Sequence, residues 1–322
     1  MSDKLAQLKQ EEQKQAELTS EESDEGRLEE AAQRSETGKR AKKIAGAVPM
    51  RLLMLAIVVI WTVPTLGLLV TSFRPASAIS GSGWWTALTN PFAEEQWTIR
   101  NYDRVIFADN MGTSFVNTLL VAMPATVIPI TIAAFAAFGI AWMSFPGREV
   151  IFILIVGLLV VPLQMALIPI LRLYTQAQLN GTFVGIWLAH TGFGLPLATY
   201  ILYGYISSIP KEIIESAHAD GATPWMMFTR LVLPLSMPAI ASFAIFQFLW
   251  VWNDLLVALV FLGTQVSKSV LTARLSELVG SRGQDWHVLT AGAFLTMVMP
   301  LIVFFSLQRY FVRGMMAGSV KG

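Results

Sequence analysis

Six long stretches of this chain contain no lysine, arginine, aspartate or glutamate, and each is long enough to cross a lipid bilayer. A helical span needs roughly 20 apolar residues to cover a hydrocarbon core of about 30 Å. Lipid cannot satisfy the edge of an open sheet, and a transmembrane barrel would show short alternating segments instead of continuous apolar ones. The sequence therefore predicts an all-α, polytopic bundle of six spans within the windows 52–73, 111–147, 150–171, 173–210, 231–253 and 286–308.

Two of these windows do not coincide with their expected helices. The fourth window includes the polar stretch from Tyr174 to Asn180, so its span is expected nearer 183–207. The fifth window is followed by further apolar residues, and its helix is predicted to continue past Asp254 to about Phe261.

Charge is scarce in this chain and unevenly distributed. Only 14% of the residues are charged and 54% are hydrophobic, which is too apolar for an ordinary soluble domain. Residues 1–43 hold 11 of the 22 acidic and 9 of the 23 basic residues, with mixed signs and no aromatic side chain. This composition predicts a disordered, solvated tail, and a coiled coil is disfavoured because the leucines keep no heptad. The chain therefore divides into a tail, 1–50, and a membrane domain, 51–322.

The orientation of the spans follows from the basic residues at the end of the tail. Lys39, Arg40, Lys42, Lys43 and Arg51 directly precede the first span, and basic residues beside a span stay in the cytoplasm. An even number of spans then places both termini in the cytoplasm. The loops 144–149 and 208–233 are predicted on the cytoplasmic side, and the loops 74–110, 172–182 and 262–286 on the outer side.

A polar segment between the fourth and fifth spans, at about 209–233, predicts two short helices joined at a glycine. Gly221 adopts a left-handed conformation without strain and is expected to end the first helix. Thr223 and Pro224 are typical of the cap and the first position of a second helix, which Pro234 is expected to end. An ordinary inter-helix loop is the alternative to a functional element here.

The same segment carries a spaced pattern made of Glu215, Ala217, Asp220, Gly221, Ala222, Phe228, Leu233, Pro234 and Pro238. This pattern is similar to the EAA motif of permease subunits in binding-protein-dependent ABC importers, with Ser216 where alanine is commonest. Two later segments, Trp252–Asp254 and Gln308–Gly322, are similar to segments of the carbohydrate branch of that family. Residues 50–322 therefore resemble the smaller six-span permease of maltose-type sugar importers.

The resemblance implies a type I ABC importer permease fold in a cell (inner) membrane of the bacterial type. It also implies three kinds of protein partner: a dimer of ATPase subunits, a second permease subunit and an extracytoplasmic solute-binding protein. ATP and Mg would be held by the ATPase, so this chain is expected to bind no cofactor and no metal and to have no catalytic residue of its own.

The resemblance further implies which residues meet the ATPase. The polar segment would act as a coupling helix that docks in a groove of the ATPase, with contacts from Glu215, Ser216, Ala217, Asp220, Gly221 and Ala222. Glu215 is expected to pair with a basic group of the ATPase or with Arg230. The C-terminal tail would reach the ATPase dimer through Arg313, Gly314 and Gly318. A tail held at lipid headgroups by Arg309 and Arg313 is the alternative.

Four polar residues inside the predicted spans are candidates for the substrate path: Gln164, Gln247, Asn253 and Asp254. Acids within a membrane are functional candidates by default, and amides can bind sugar hydroxyls or join helices. Gln247 and Asp254 are seven residues apart and would share one helix face. His190, in the fourth span, is expected to be a hydrogen-bonded packing residue.

Several other classes of protein are disfavoured by missing motifs. No Gly-x-x-x-x-Gly-Lys-Ser/Thr is present, so ATP would be hydrolysed by another chain. The chain contains no cysteine, His-Glu-x-x-His or nucleophilic serine elbow, which disfavours an intramembrane enzyme. A net charge of +1 predicts no nucleic-acid partner.

The sequence thus predicts the permease subunit of an importer for a sugar or oligosaccharide. The alternatives are a permease of the same superfamily for another small solute, such as a polyamine, phosphate or glycerol-phosphate, and an ion-driven secondary transporter. An ion-driven secondary transporter is expected to have inverted repeats and several charges inside its spans. Only one acid lies well inside a span here, which disfavours that class.

Overall fold

The computed structural model describes residues 48–93, 95–280 and 285–317, with the side chains of 279–280 and 309–317 left out. The described chain is helical and contains no strand within these ranges. The predicted tail through residue 43 lies outside them, so the boundary expected at residue 50 stays a prediction. By its internal contacts the chain divides after Leu66, and Gly67–Gly322 forms one compact unit.

The main helices in these ranges are α1 (Val48–Ser72), α2 (Met111–Trp142), α3 (Arg148–Gly157), α4 (Leu163–Gln176), α5 (Phe183–Ile206), α6 (Lys211–Ala219), α7 (Pro224–Met227), α8 (Met237–Trp252), α9 (Leu256–Phe261), α10 (Leu271–Gly280) and α11 (Trp286–Ala317). Shorter helical segments connect them. They are Ala76–Gly81, Thr86–Thr89 and Arg100–Asp103, the π turns Arg104–Ala108 and Phe228–Val232, the 3₁₀ turns Leu158–Val160 and Val266–Lys268, and Leu233–Leu235.

Each predicted window holds a helix or a bent pair of helices. Among the described residues, α1, α2 and the Trp286–Gln308 part of α11 are each long and apolar enough to cross a membrane. Two bent pairs meet the same criterion together, α3 with α4 and the Pro224–Leu235 segment with α8. The 24 residues of α5 would extend about 36 Å, which is long enough to cross a membrane. Its His, Thr and Gly residues give it a lower hydropathy than the three helices named above.

The third window, 150–171, holds two helices at a sharp angle and not one straight helix. Arg148–Val160 and Leu163–Gln176 meet at an angle of 105°. Val161 is extended, with ψ 115°, and Pro162 caps α4. The ring of a proline disfavours the helical conformation in the residue before it, which favours a break of the helix at Val161.

The fifth span is also interrupted, at both of its ends. The segment that contains Pro234 ends at Leu235, one residue later than predicted, and α8 leaves it at an angle of 70°. The predicted continuation to Phe261 is broken because α8 ends at Trp252 and α9 begins only at Leu256. A membrane-embedded segment of this kind needs side-chain partners for its freed backbone groups.

Three prolines inside α2 and α11 have freed backbone carbonyls that are satisfied by other helices. Each proline lacks the N–H that would bond to the carbonyl four residues earlier. In every case a side-chain N–H from another helix donates to that carbonyl instead, so the three contacts tie α2, α5, α8 and α11 together. They run from Trp187 Nε1 to Leu120 O (2.8 Å) for Pro124, from Gln247 Nε2 to Ala125 O (3.1 Å) for Pro129, and from Trp252 Nε1 to Thr296 O (2.9 Å) for Pro300.

The buried side chains form two apolar clusters at different heights of the bundle. One cluster joins α8 and α9 to the first half of α2, around Trp252 and Phe261. The other joins α2 and α5 to α6 and the segment after α7, around Phe138 and Phe228. Buried alanines such as Ala133 allow α2 to approach its neighbours closely. The second cluster attaches the polar segment to the bundle.

Candidate coupling loop and transport path

The first helix of the polar segment, α6, is amphipathic. Glu212 lies in its first turn, where the partial positive charge of the helix terminus favours an acid. Ile214 is 4% exposed and packs into the second cluster, whereas Glu215 and Ser216 are exposed. The helix therefore presents Glu215 and Ser216 to the outside, whereas Ala217 is half-buried against the second cluster.

The predicted helix–turn–helix is present, with the glycine at its turn. Gly221 has a φ of +77°, a conformation that other residues adopt only with strain. Its N–H donates to His218 O (3.0 Å), and the N–H of Ala222 donates to Ala217 O (3.0 Å). Thr223 caps α7, because its hydroxyl accepts from the N–H of Met226 (3.3 Å). Backbone bonds thus fix the turn that separates the two helices.

Glu215 forms an ion pair within its own helix. Its carboxylate lies 2.7 Å from the ammonium of Lys211, one turn earlier, instead of pairing with Arg230. The hydrogen bond to Glu215 and its negative charge raise the pKa of Lys211. Sequence reasoning missed this pair, although a spacing of four residues on a helix indicates it. Both side chains are largely exposed, so the pair is open to exchange with an outside charge.

Aromatic rings hold the second half of the loop against α2. Phe228 is 5% exposed, and its ring centroid lies 4.5 Å from that of Phe135 and 5.4 Å from that of Phe138. Trp225 stacks on Phe135 at 6.1 Å but stays 64% exposed. Phe228 is therefore the anchor of the loop, and Trp225 presents an apolar surface beside it.

Asp254 lies in the break between α8 and α9. Its carboxylate accepts from the N–H groups of Val257 (3.3 Å) and Ala258 (3.0 Å), which caps α9. His190 of α5 is 1% exposed, and its Nε2 lies 3.9 Å from the Asp254 carboxylate, beyond hydrogen-bond distance. The expectation of a hydrogen-bonded His190 was wrong, since neither ring nitrogen has such a partner within the described chain. Sequence reasoning missed this pairing because 64 residues separate the two.

The other candidates for the substrate path make different contacts. Gln247 is fully buried and joins α8 to α2 through Ala125 O. Because α8 ends at Trp252, Gln247 and Asp254 do not share one helix face as expected. Asn253 is exposed, and its side-chain amide donates to Leu249 O (2.8 Å) in the last turn of α8. Gln164 is exposed in the first turn of α4, just after the 105° bend. Within the described ranges, no group of three His, Cys, Asp or Glu side chains is placed to hold a metal ion.

The loop between α1 and α2, at the end of the bundle away from α6, is held together by hydrogen bonds from Arg74. Arg74 is 1% exposed and donates to Ser82 O (3.1 Å), Ala78 O (3.0 Å) and the Gln96 side chain (3.2 Å). Burial lowers the pKa of Arg74. An open cleft of about 720 Å³ lies beside this loop and is lined partly by Trp97.

The proposed C-terminal contacts fall at the edge of the described structure. Arg313 and Gly314 lie in α11, in the part whose side chains are left out. Gly318 lies outside the described residues. The expectation that these residues reach an ATPase stays a prediction.

Comparison with known proteins identifies relatives over most of the chain. Residues 130–317 match the family model for the inner membrane component of binding-protein-dependent transport systems. The osmoprotective compounds uptake permease protein GgtD of Synechocystis sp. is 58% identical over 85% of this chain and 92% of its own length. The alpha-glucoside transport system permease protein AglG of Rhizobium meliloti is 45% identical over 88% of this chain and 99% of its own length.

Solved structures give the same fold. A chain from the crystal structure of a bacterial ABC transporter involved in the import of the acidic polysaccharide alginate matches 85% of this chain with a TM-score of 0.59. The match covers 98% of that chain at 16% sequence identity, and so shows the fold alone. Together with the family model and the two relatives, the polar segment and the helical membrane bundle identify the chain as a member of the family of inner-membrane permease components of binding-protein-dependent transport systems.

Proposed function

We propose that this chain is the permease subunit of an ATP-driven importer for a sugar or oligosaccharide delivered by an extracytoplasmic binding protein. The observation that carries the proposal is the exposed helix–turn–helix at Gly221, which is anchored to a bundle of membrane helices. The relative named for alpha-glucoside transport, 45% identical, supports the choice of a sugar. ATP and Mg belong to a partner ATPase dimer in this proposal, and a second permease subunit completes the path.

A second candidate solute is a small osmoprotective compound. The relative that is 58% identical carries that name, and its identity to this chain exceeds that of the alpha-glucoside permease. Uptake of labelled alpha-glucosides and of labelled osmoprotectants by cells that express the whole system separates the two. Uptake of neither class would contradict both assignments of solute while leaving the membership of the family intact.

The coupling step follows from the exposed face of α6. Glu215, Ser216 and Ala217 lie on its last two turns, and Asp220, Gly221 and Ala222 form the turn that follows. A groove of the ATPase would receive this turn. A basic group in that groove would replace Lys211 as the ion-pair partner of the Glu215 carboxylate. Because Phe228 is packed between two rings of α2, a displacement of the loop moves α2 with it.

The substrate path in this proposal passes the break between α8 and α9. Interrupted membrane helices expose backbone groups that transporters use at their binding sites. Asn253 is exposed at this break, and Asp254 and His190 lie directly behind it. Gln164 lies at the other bend of the bundle. Gln247 contributes to this path as a helix-joining residue, since its amide donates to Ala125 O.

Both termini lie in the cytoplasm in this proposal, and the cleft beside Trp97 faces the binding protein. The tail residues Arg313, Gly314 and Gly318 then lie on the side of the ATPase. Removal of residues 315–322 would lower the number of solute molecules moved per ATP if the tail contacts the ATPase, and would leave that ratio unchanged if the tail only rests on lipid.

The replacement Gly221→Val tests the coupling role. A β-branched residue at a φ of +77° strains the turn by about 1–2 kcal/mol and shifts the docking surface. We expect uptake to be lost while the amount of protein in the membrane fraction is unchanged. Gly204→Val is the matched control, since Gly204 lies in α5 with no atom within 4 Å of an added Cβ. Normal uptake by the Gly221→Val variant would count against docking at this turn.

A further inference from the structure

The turn between α2 and α3 borders a cavity whose lining combines both charge signs with apolar and aromatic side chains. The cavity has a volume of about 280 Å³ and is lined by Arg148, Glu149, Tyr203, Phe152 and Ile140, among others. None of these residues belongs to the coupling turn or to the substrate path. The cavity therefore calls for an explanation of its own.

The charged pair in this cavity makes few contacts with the rest of the protein, although Glu149 lies in the first turn of α3, where the helix terminus favours an acid. Arg148 makes one long hydrogen bond, from Nη1 to Met143 O at 3.4 Å. Neither Arg148 nor Glu149 forms an ion pair with another residue in the described part of the chain, although Arg104, Lys211 and Arg274 form such pairs there. The two side chains thus offer a cation and an anion side by side to a ligand.

The orientation predicted from sequence places this cavity at the cytoplasmic boundary of the membrane, because it borders the loop 144–149. The apolar helices α2 and α3 are joined by the short segment 143–147. Trp142, at the end of α2, donates from its indole to Ile206 O (3.1 Å) at the end of α5, so both helices finish at this level. Trp and Tyr side chains are enriched at such boundaries because their rings have an apolar body and a polar tip.

The cavity opens along an apolar surface. Phe152 packs on Tyr203 with ring centroids 4.2 Å apart. Next to them, Ile153 is 66% exposed and Leu154 is 65% exposed on α3. A ligand with a zwitterionic head at Arg148 and Glu149 and an apolar tail along α3 would match both parts of this site.

We propose that this cavity binds the headgroup of a phosphatidylethanolamine molecule. Its phosphate would accept hydrogen bonds from the Arg148 guanidinium, and its primary ammonium would donate to the Glu149 carboxylate. Phosphatidylcholine has the same charges but no N–H to donate to Glu149. Phosphatidylglycerol has no cation for Glu149 and adds a net negative charge beside it. The acyl chains follow the exposed apolar side chains of α3.

Native mass spectrometry of the full chain in its purified assembly tests this proposal. The assembly is mixed with equal amounts of phosphatidylethanolamine, phosphatidylcholine and phosphatidylglycerol, and the retained lipids are counted. We expect phosphatidylethanolamine to be retained most strongly. Arg148→Gln should weaken its retention about tenfold, which corresponds to the loss of roughly one charge-assisted contact. Arg172→Gln, in α4 and away from the cavity, should have no effect.

A second variant separates the two halves of the site. Glu149→Gln should abolish the preference for phosphatidylethanolamine over the other two lipids while some phospholipid binding persists, and Arg148→Lys should retain part of the binding. Equal retention of the three lipids by the parent, or retention in Glu149→Gln and Arg148→Gln equal to that of Arg172→Gln, would overturn the proposal. Competition by soluble phosphoethanolamine at a concentration equal to that of the lipid would overturn the assignment to a lipid, because the acyl chains would then add nothing to the affinity.

Discussion

Gly192 and Gly194 lie two residues apart in α5 and have different surroundings. A Cβ added to Gly194 would lie 2.6 Å from Nε2 and 2.8 Å from Oε1 of Gln247, whereas one added to Gly192 meets no atom within 4 Å. Gln247 is fully buried and donates to Ala125 O, which Pro129 leaves without its helical partner. Only the absence of a side chain at Gly194 therefore leaves room for this contact.

This difference predicts the effect of alanine at the two glycines. Gly194→Ala should displace the Gln247 amide and lower the free energy of unfolding by about 1–3 kcal/mol, because a buried carbonyl and a buried amide both lose their partner. Gly192→Ala should leave that free energy unchanged or raise it slightly, since alanine favours a helix over glycine. Chemical unfolding in detergent micelles measures both. Equal destabilisation by the two variants would contradict the role given to Gly194.

At the scale of single residues, local chemistry was predictable and distant pairing was not. Gly221 could be identified from sequence because a positive φ is a property of one residue and its neighbours. The ion pair of Lys211 and Glu215 is equally local. It was missed because Glu215 was expected to pair with Arg230 or with a group of the ATPase. The approach of His190 to Asp254 depends on the packing of α5 against the end of α8, which no short sequence pattern encodes.

At the scale of elements, proline does more than bend a helix in this protein. Each of the prolines in α2 and α11 is matched by a donor from another helix, so the bend and the interhelical contact form one unit. Lipid offers no hydrogen bonds of its own, so a carbonyl freed inside the bundle needs such a donor. Trp252, which is 1% exposed, supplies it for Thr296 at Pro300.

A double-mutant cycle tests this unit. Trp252→Phe removes the indole N–H and should lower the free energy of unfolding, by about 1 kcal/mol for the hydrogen bond in addition to the loss of packing. In a Pro300→Ala background the backbone N–H of residue 300 satisfies Thr296 O, so the same change should be less destabilising by about 0.5–1.5 kcal/mol. The packing loss is the same in both backgrounds and cancels in the cycle.

Trp142→Phe provides the control for this cycle. Its indole donates to Ile206 O at the end of α5, where the proline four residues later is Pro210 and not Pro300, so its effect should be independent of Pro300→Ala. Additive effects for Trp252→Phe and Pro300→Ala would show that the indole and the proline act separately, which would contradict the matched unit.

The existence of the spanning segments was predictable from sequence, but their shape was not. An uncharged window shows only that a segment is long and apolar. A bent segment and a straight one have the same length and apolarity, so the window does not distinguish them. Pro162 was visible at the 105° bend, yet prolines are frequent in membrane helices and many of them lie inside continuous ones, such as Pro124 in α2. The break at Asp254 gave a weaker signal, since a single acid can also lie within an unbroken helix.

At the scale of the whole molecule, the two ends of the bundle carry different surfaces. The end with α6 presents charged residues and the exposed Trp225. The opposite end carries the loop held by Arg74 and the open cleft beside Trp97. These surfaces suit two separate partners, and the proposed transport cycle requires that the membrane lie between them. The basic residues before α1 predict which end is cytoplasmic.

Cysteine labelling tests this orientation with little background, because the chain contains no cysteine. Ser77 is exposed at the end with the cleft, and Ser216 is exposed on α6. A membrane-impermeant maleimide should label Ser77→Cys in intact cells and should label Ser216→Cys only after the cells are permeabilised. The parent chain should stay unlabelled in both conditions. Labelling of Ser216→Cys in intact cells would place α6 outside, where no cellular ATPase reaches it. That outcome would contradict both the predicted orientation and the coupling role of the Gly221 turn.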